Sequence, residues 1–165
     1  MHSSNSGGPS RRPPACRKPN QGAAMKSILF LCTGNYYRSR FAEYVYNDIA
    51  LQRGIAARAI SRGLALERGE SNHGPMCPVA LKRLQDLGIK VDGRVRDPRQ
   101  VIETDFAGAD KVIALDEHEH RPLIRERFPH WESRVSYWNI PDRNPDEHSD
   151  PLADIVKNIE VLFRL

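Results

Sequence analysis

Apolar residues in this chain come as short continuous runs that alternate with stripes at helical spacing. Ile28-Leu29-Phe30-Leu31 is a continuous run. It predicts a central parallel strand from about Lys26 to Leu31, buried on both faces. After Arg38 the pattern changes. Phe41, Ala42, Tyr44, Val45, Ile49 and Leu51 form a broad helical stripe that Gly54 closes. A second short strand is predicted over 57–61, followed by a loop over 64–74. Pro78 opens another helix, with Ala80, Leu81, Leu84 and Leu87 on its apolar face and Gly88 at its C-terminal cap. Ile89-Lys90-Val91 reads as a short extended piece, and the mixed segment 94–106 as holding a helical turn after Asp97-Pro98. Residues 111–115 predict a third strand, Asp116 starts a short helix carrying Leu123 and Ile124, and residues 134–138 predict a fourth strand. Asp150-Pro151 is an N-cap with proline at the first helical position. Leu152, Ile155, Val156, Ile159, Leu162 and Phe163 then give the last helix a clear stripe. Strands alternating with helices imply an α/β fold with a parallel sheet. Functional loops in such sheets lie at the carboxyl ends of strands, where Cys32, Ser61, Asp116 and Asp142 all fall.

Composition narrows the picture. A length of 165 residues suits one domain with a sizeable core. Residues 1–24 are rich in Ser, Gly, Pro and Arg and lack apolar periodicity. We expect them to be a disordered basic tail ahead of a domain over 25–165. That tail holds Arg11, Arg12, Arg17 and Lys18 and no acid; without them the 25 basic residues fall to 21, against 21 acidic ones. Bulk charge therefore gives no case for nucleic acid. No apolar run nears the roughly 20 residues of a membrane span, and no secretory segment is apparent, so neither a membrane nor a secreted location is expected and a cytoplasmic one is. The three cysteines, at 16, 32 and 77, are odd in number and widely spaced. They argue for free thiols in a reducing compartment.

The chemistry gathers at 28–43, ILFLCTGNYYRSRFAE. A strand ends at Cys32, a polar loop Thr33-Gly34-Asn35-Tyr36-Tyr37 follows, and Arg38-Ser39 lead into a helix. Loop N–H groups and a helix N-terminus make an anion cradle. Cys32 is a nucleophile and Arg38 a bidentate clamp on the same loop. Helix N-terminal N–H groups and Arg38 would favour the thiolate. Ser39 can donate to that sulfur, and its bland alternative is a helix N-cap. Spacing alone is weak evidence, because Cys77 also has an arginine, Arg83, six residues on. That second match crosses a helix start, has no glycine and follows no strand, so it reads as an ordinary cysteine beside an ordinary arginine. His118-Glu119-His120 reads as a solvated helix face, and no histidine makes a metal-ligand spacing with a cysteine.

Cys32-Thr33-Gly34-Asn35-Tyr36-Tyr37-Arg38-Ser39, with Phe41-Ala42-Glu43 after it, resembles the signature loop of the low-molecular-weight protein-tyrosine phosphatases, and the likeness extends over 25–165. It implies a three-layer sandwich around a four-stranded parallel sheet, flavodoxin-like and phosphotyrosine phosphatase I-like. Ser61-Arg62-Gly63 is similar to the segment whose serine supports the loop asparagine. Ile140-Pro141-Asp142 falls where the family carries its general acid, with Asp146 as the reserve candidate. The implied reaction is phosphomonoester hydrolysis through a phosphocysteine on Cys32, with Asp142 as acid and then base. The implied substrates are a phosphorylated protein or a small phosphomonoester, with no cofactor and no metal. The chain is expected to be a monomer or a weak dimer.

The match departs in places that bear on substrate. Tyr37 stands where the family commonly has a second cysteine, and Arg40 where it often has proline. Arg143-Asn144-Pro145 replaces the tyrosines that often follow the acid, and Leu64 to Arg68 offers no aromatic wall. Only Tyr36 and Tyr37 bring rings near the pocket. Two alternatives stay open: an arsenate reductase of the same fold, although the region before Asp116 lacks the relay cysteines, and a phosphate-binding pseudo-phosphatase.

Overall fold

A computed structural model of the chain describes residues 26–91, 93–142 and 149–164. Four parallel strands form its centre: β1 (Lys26–Cys32), β2 (Ala57–Gly63), β3 (Lys111–Ala114) and β4 (Ser136–Tyr137), in the order β2-β1-β3-β4. The helices are α1 (Arg38–Gln52), α2 (Pro78–Asp86), α3 (Glu103–Ala107), α4 (Glu117–Arg127) and α5 (Pro151–Arg164), with short 3-10 turns at Leu66–Gly69 and Pro129–Trp131. The expected tail, 1–24, and the reserve acid Asp146 lie outside the described residues.

Strand β1 explains the three layers. Its side chains alternate between two cores. Ile28 and Phe30 join Phe41, Val45, Leu84, Leu152, Ile155 and Ile159 from α1, α2 and α5. Leu29 and Leu31 join Phe106, Val112, Leu123 and Ile124 on the other face, under α3 and α4. Each of these four β1 side chains is at most 2 % exposed, which is why the run is apolar without alternation. The chain goes from β1 outward to β2, then returns to the far side of β1 for β3. That reversal opens a crevice at the carboxyl end of β1, the position where open α/β sheets hold their ligands.

Most predicted elements are present, and the differences have local causes. Ile89-Lys90-Val91 joins no strand. Instead Gly88, at φ +72°, turns the chain so that the Ile89 N–H closes onto Leu84 O at 2.9 Å. The segment before α3 is extended, since Pro98 disfavours helix at Asp97, and it docks beside β2 through Gly63 N–H to Arg99 O and Val101 N–H to Gly63 O, both 2.8 Å. The fourth strand is only two residues long, but Trp138 N–H to Ala114 O and Ile140 N–H to Leu115 O, each 2.9 Å, carry the following segment along β3. No described helix is long and apolar enough to cross a membrane.

Candidate active site

The loop from Cys32 to Ser39 turns at Asn35, the one described non-glycine residue with positive φ, at +49°. Asparagine tolerates that conformation better than most residues. Its side chain is fully buried and every hydrogen-bonding capacity of its amide is used. Nδ2 donates to Ser39 Oγ at 2.9 Å and to Ser61 Oγ at 3.0 Å. Oδ1 accepts from Arg99 N–H at 3.0 Å and Arg96 Nη1 at 3.1 Å. Two donors facing Oδ1 and two hydroxyls facing Nδ2 fix which way the amide points.

The network continues outward. Ser61 Oγ accepts from Asn35 and from Arg96 Nη2 and donates to Glu43 Oε2 at 2.9 Å. Arg96 Nη2 also reaches Glu43 Oε2 at 3.2 Å. Sequence reasoning named Ser61 as a support, gave Glu43 and Arg99 no role and missed Arg96. Behind the loop, Arg40 is fully buried, donating to Arg96 O at 2.9 Å and Pro75 O at 3.4 Å; among the described residues its Nε has no partner. Gly63 is required by close approach. A Cβ there would lie 2.9 Å from Thr33 O and 3.1 Å from Asn35 N.

Inside the loop, Cys32 Sγ and Ser39 Oγ are 2.8 Å apart. Ser39 Oγ accepts from Asn35, so its own proton is available to the sulfur. Ser39 is not the N-cap of α1. Tyr37 takes that position without a side-chain cap, and Ser39 is the second helical residue. No acid lies in the first turn, which begins with Arg38. The backbone N–H groups of Gly34, Asn35, Tyr36, Arg38 and Ser39 donate to no atom of the described residues. Such a set at a helix N-terminus suits an anion.

Arg38 is 3 % exposed. Nη1 donates to Ile140 O at 3.0 Å, and Nη2 reaches Glu119 Oε1 and Oε2 at 2.9 and 2.8 Å. Burial alone would lower its pKa, but Cys32, Glu119 and Asp142 outweigh burial and raise it, so its charge is held firmly. Glu119 also accepts from Thr33 Oγ1 at 2.6 Å. Burial opposes its ionisation, yet His120, Arg38 and Thr33 together hold its carboxyl well below the usual range. The His120 contact is long, 3.5 Å from Nε2 to Oε1, so Arg38 and Thr33 are the stronger partners.

This corrects the reading of 118–120 as a solvated face. Only His118 faces solvent; Glu119 is half-buried and His120 fully buried. The first turn of α4 starts at the carboxyl end of β3, beside the loop, and helical rotation carries residues 119 and 120 inward. His120 Nδ1 accepts from Asp116 N–H at 3.0 Å, which places its proton on Nε2. Burial lowers its pKa, so it is neutral.

These groups surround a cleft of about 250 Å³, lined by Cys32, Thr33, Gly34, Tyr36, Tyr37 and Arg38 from the loop, Arg68 and Asn72 from one wall, and Glu119 and Asp142 from the other. Buried Ile140 sets the Asp142 position: its N–H donates to Leu115 O, just past β3, and its carbonyl accepts from Arg38, and Pro141 then turns the chain to exposed Asp142 at the rim. Tyr36 is pinned to the opposite wall through its hydroxyl, which donates to His73 O at 2.7 Å, and its own carbonyl, which accepts from Cys77 N–H at 3.0 Å. Cys77 and Arg83 do not form a second cradle. Cys77 precedes α2 as its N-cap, and Arg83 pairs with Asp150 at 2.9 Å.

Comparison with known proteins agrees with this geometry. The family model described as low molecular weight phosphotyrosine protein phosphatase matches residues 27–164. A protein-arginine-phosphatase of Bacillus subtilis is 28% identical over 134 residues, covering 81% of this chain and 83% of that protein. The low molecular weight phosphotyrosine protein phosphatase of Sus scrofa is 30% identical over 101 residues; that alignment spans 61% of each chain. The crystal structure of YfkJ from Bacillus subtilis superposes with a TM-score of 0.73 at 25% identity, covering 87% of this chain and 95% of that one. The chain belongs to the low molecular weight phosphotyrosine protein phosphatase family and is a cysteine-dependent phosphatase.

Proposed function

We propose that Cys32 is the nucleophile, Arg38 the phosphoryl clamp and Asp142 the general acid of a phosphomonoester hydrolysis that runs through a phosphocysteine. The single observation that carries this reading is the 2.8 Å contact of Cys32 Sγ with Ser39 Oγ beneath a loop in which the N–H groups of Gly34, Asn35, Tyr36, Arg38 and Ser39 meet no acceptor among the described residues. The phosphoryl group sits in the loop, held by the N–H groups of Gly34, Asn35, Tyr36, Arg38 and Ser39 and by the Arg38 guanidinium. Sulfur attacks phosphorus in line, the P–O bond to the leaving group breaks, and Asp142 gives its proton to the departing oxygen. Asp142 then takes a proton from water, whose oxygen attacks phosphorus, and the thiolate leaves towards the Ser39 hydroxyl. Positive charge from Arg38 and the helix N-terminus stabilises the equatorial oxygens throughout, so the reaction as written needs no metal or cofactor.

The substrate we favour is phosphotyrosine in a protein, because Tyr36 and Tyr37 line the cleft next to Asp142 and supply the ring surfaces on which an aryl group stacks. Phosphoarginine is the second reading, supported by the arginine-phosphatase relative aligned over most of this chain. We take residues 25–165 as the catalytic unit, acting as a monomer or weak dimer without nucleic acid or membrane. The test is hydrolysis of para-nitrophenyl phosphate in EDTA, followed by a peptide panel of phosphotyrosine, phosphoserine and phosphoarginine. Wild type is expected to turn over, with a preference for phosphotyrosine. Cys32→Ser loses activity, and Asp142→Ala loses about 10²–10⁴-fold in kcat. Wild-type inactivity from acidic to neutral pH would reject the reading.

A further inference from the structure

Glu119 is a carboxylate inside an anion cradle, and the reaction proposed above gives it no task. It lines the Cys32 cleft and is held from two sides, by Arg38 Nη2 and Thr33 Oγ1, while buried His120 Nε2 stands 3.5 Å away with no hydrogen-bond partner among the described residues. A guanidinium can hold a tetrahedral anion bidentately only through two adjacent N–H groups, Nε with Nη2 or Nη1 with Nη2. Both pairs include Nη2, and Nη2 is engaged by both oxygens of Glu119. The two oxygens of one carboxylate lie too close together to take both Nη2 protons linearly, so a phosphoryl group entering the loop shares Nη2 with Glu119 and lies beside its negative charge.

We propose that Glu119 is a specificity-determining residue, a carboxylate that competes with phosphoryl oxygens for Arg38 and so weakens the hold of the loop on phosphate. The inference rests on the phosphatase reading of the loop. It has two consequences. Inorganic phosphate, the product, carries up to two negative charges and no leaving group to offset the repulsion, so it is released readily. Arg38, in turn, is oriented by Glu119 and Ile140 O before phosphate arrives.

The test separates the charge of Glu119 from its shape. Glu119→Gln keeps an oxygen that accepts from Arg38 Nη2 and Thr33 Oγ1 but removes the negative charge. Inorganic phosphate is titrated as a competitive inhibitor of para-nitrophenyl phosphate hydrolysis by the full chain, alongside direct phosphate binding by calorimetry. The inhibition constant is expected to fall by about tenfold in E119Q, the size of effect that a nearby charge exerts in a partly screened site. KM for para-nitrophenyl phosphate is expected to fall in parallel. A constant that is unchanged or raised, in a wild type that turns over, overturns this proposal and leaves the phosphatase reading standing. No turnover and no phosphate binding by the wild type overturns both. Should E119Q not fold, Glu119→Ala reads the same constant. There a smaller fall supports the proposal, because Arg38 also loses its orienting partner, and no fall overturns it.

Discussion

Ser39 Oγ lies 2.8 Å from Cys32 Sγ and accepts a hydrogen bond from Asn35 Nδ2 at 2.9 Å. The hydroxyl is thus held from one side and free to donate from the other. A donor to the sulfur matters most when the thiolate departs, in the second half of the reaction. A hydrogen bond to a charged group contributes about 1.5–3 kcal/mol, so Ser39→Ala is expected to slow breakdown of the phosphoenzyme by about 10–100-fold. Rapid-mixing kinetics with para-nitrophenyl phosphate will then show a burst of nitrophenol followed by a slow steady state. Equal losses in burst and steady-state rates would place Ser39 in the first step instead.

Asn35 is the joint of the site. It ties the loop to Ser61 at the end of β2 and to Arg96 and Arg99 from a segment more than 60 residues on. Asn35→Ala removes all four bonds, leaves buried partners unpaired and puts a residue less suited to φ +49° at the turn. A loss of about 2–4 kcal/mol in urea unfolding is expected, together with loss of most activity at temperatures where the fold persists. Stability within about 0.5 kcal/mol of wild type would mean that the network is not a structural joint.

The different legibility of these parts has a physical basis. Cys32, Arg38 and Ser39 were readable because an apolar strand, a glycine-bearing loop and a helical stripe follow one another within 16 residues, and local order is what hydrophobic periodicity reports. Context also removed the false match at Cys77, where Arg83 is drawn off by Asp150. Glu119 and Arg96 were not readable, since they enter from 81 and 61 residues away and only packing brings them in. In the chain, His-Glu-His is an ordinary polar triplet. The available signal was positional: it falls in the first turn after a strand that ends beside the loop. The predicted strand over 134–138 exceeds the regular ladder, which spans only Ser136–Tyr137, because strand-type side chains continue on both sides of it, and past it Trp138 and Ile140 hold on by single hydrogen bonds.

Stability should fall in acid, and the sign follows from two groups. Burial holds the pKa of His120 below its usual 6.5, so the unfolded chain binds a proton more readily. The contribution of neutral His120 is complete above pH 6.5 and is lost as pH falls below it. Glu119, held below its usual 4.5 despite burial, contributes fully above that value and loses its contribution at lower pH. Thermal melts should therefore show a declining midpoint from pH 7 to 5 that flattens in His120→Asn, which keeps an acceptor for Asp116 N–H. An identical slope in the variant would show that another group sets it.

Oxidation should be poorly reversible. The loop from Thr33 to Ser39 holds no second cysteine, with Tyr37 just before Arg38, so a sulfenic acid formed on Cys32 by hydrogen peroxide has no thiol in the loop to trap it and is expected to proceed to the sulfinic acid. Peptide mass spectrometry after mild peroxide is expected to find sulfinate at Cys32, with activity that thiol reductants do not restore. A disulfide joining Cys32 to Cys77, with recovery on reduction, would contradict this.

The covalent intermediate tests the account most directly. Asp142→Ala, mixed with para-nitrophenyl phosphate and quenched in acid within the first turnover, should carry one phosphoryl group on the peptide containing Cys32, and Cys32→Ser should release no nitrophenol. Turnover by the wild type with Cys32 unmodified in every quenched sample, or with the phosphoryl group on another residue, would contradict the assignment of Cys32 as the nucleophile.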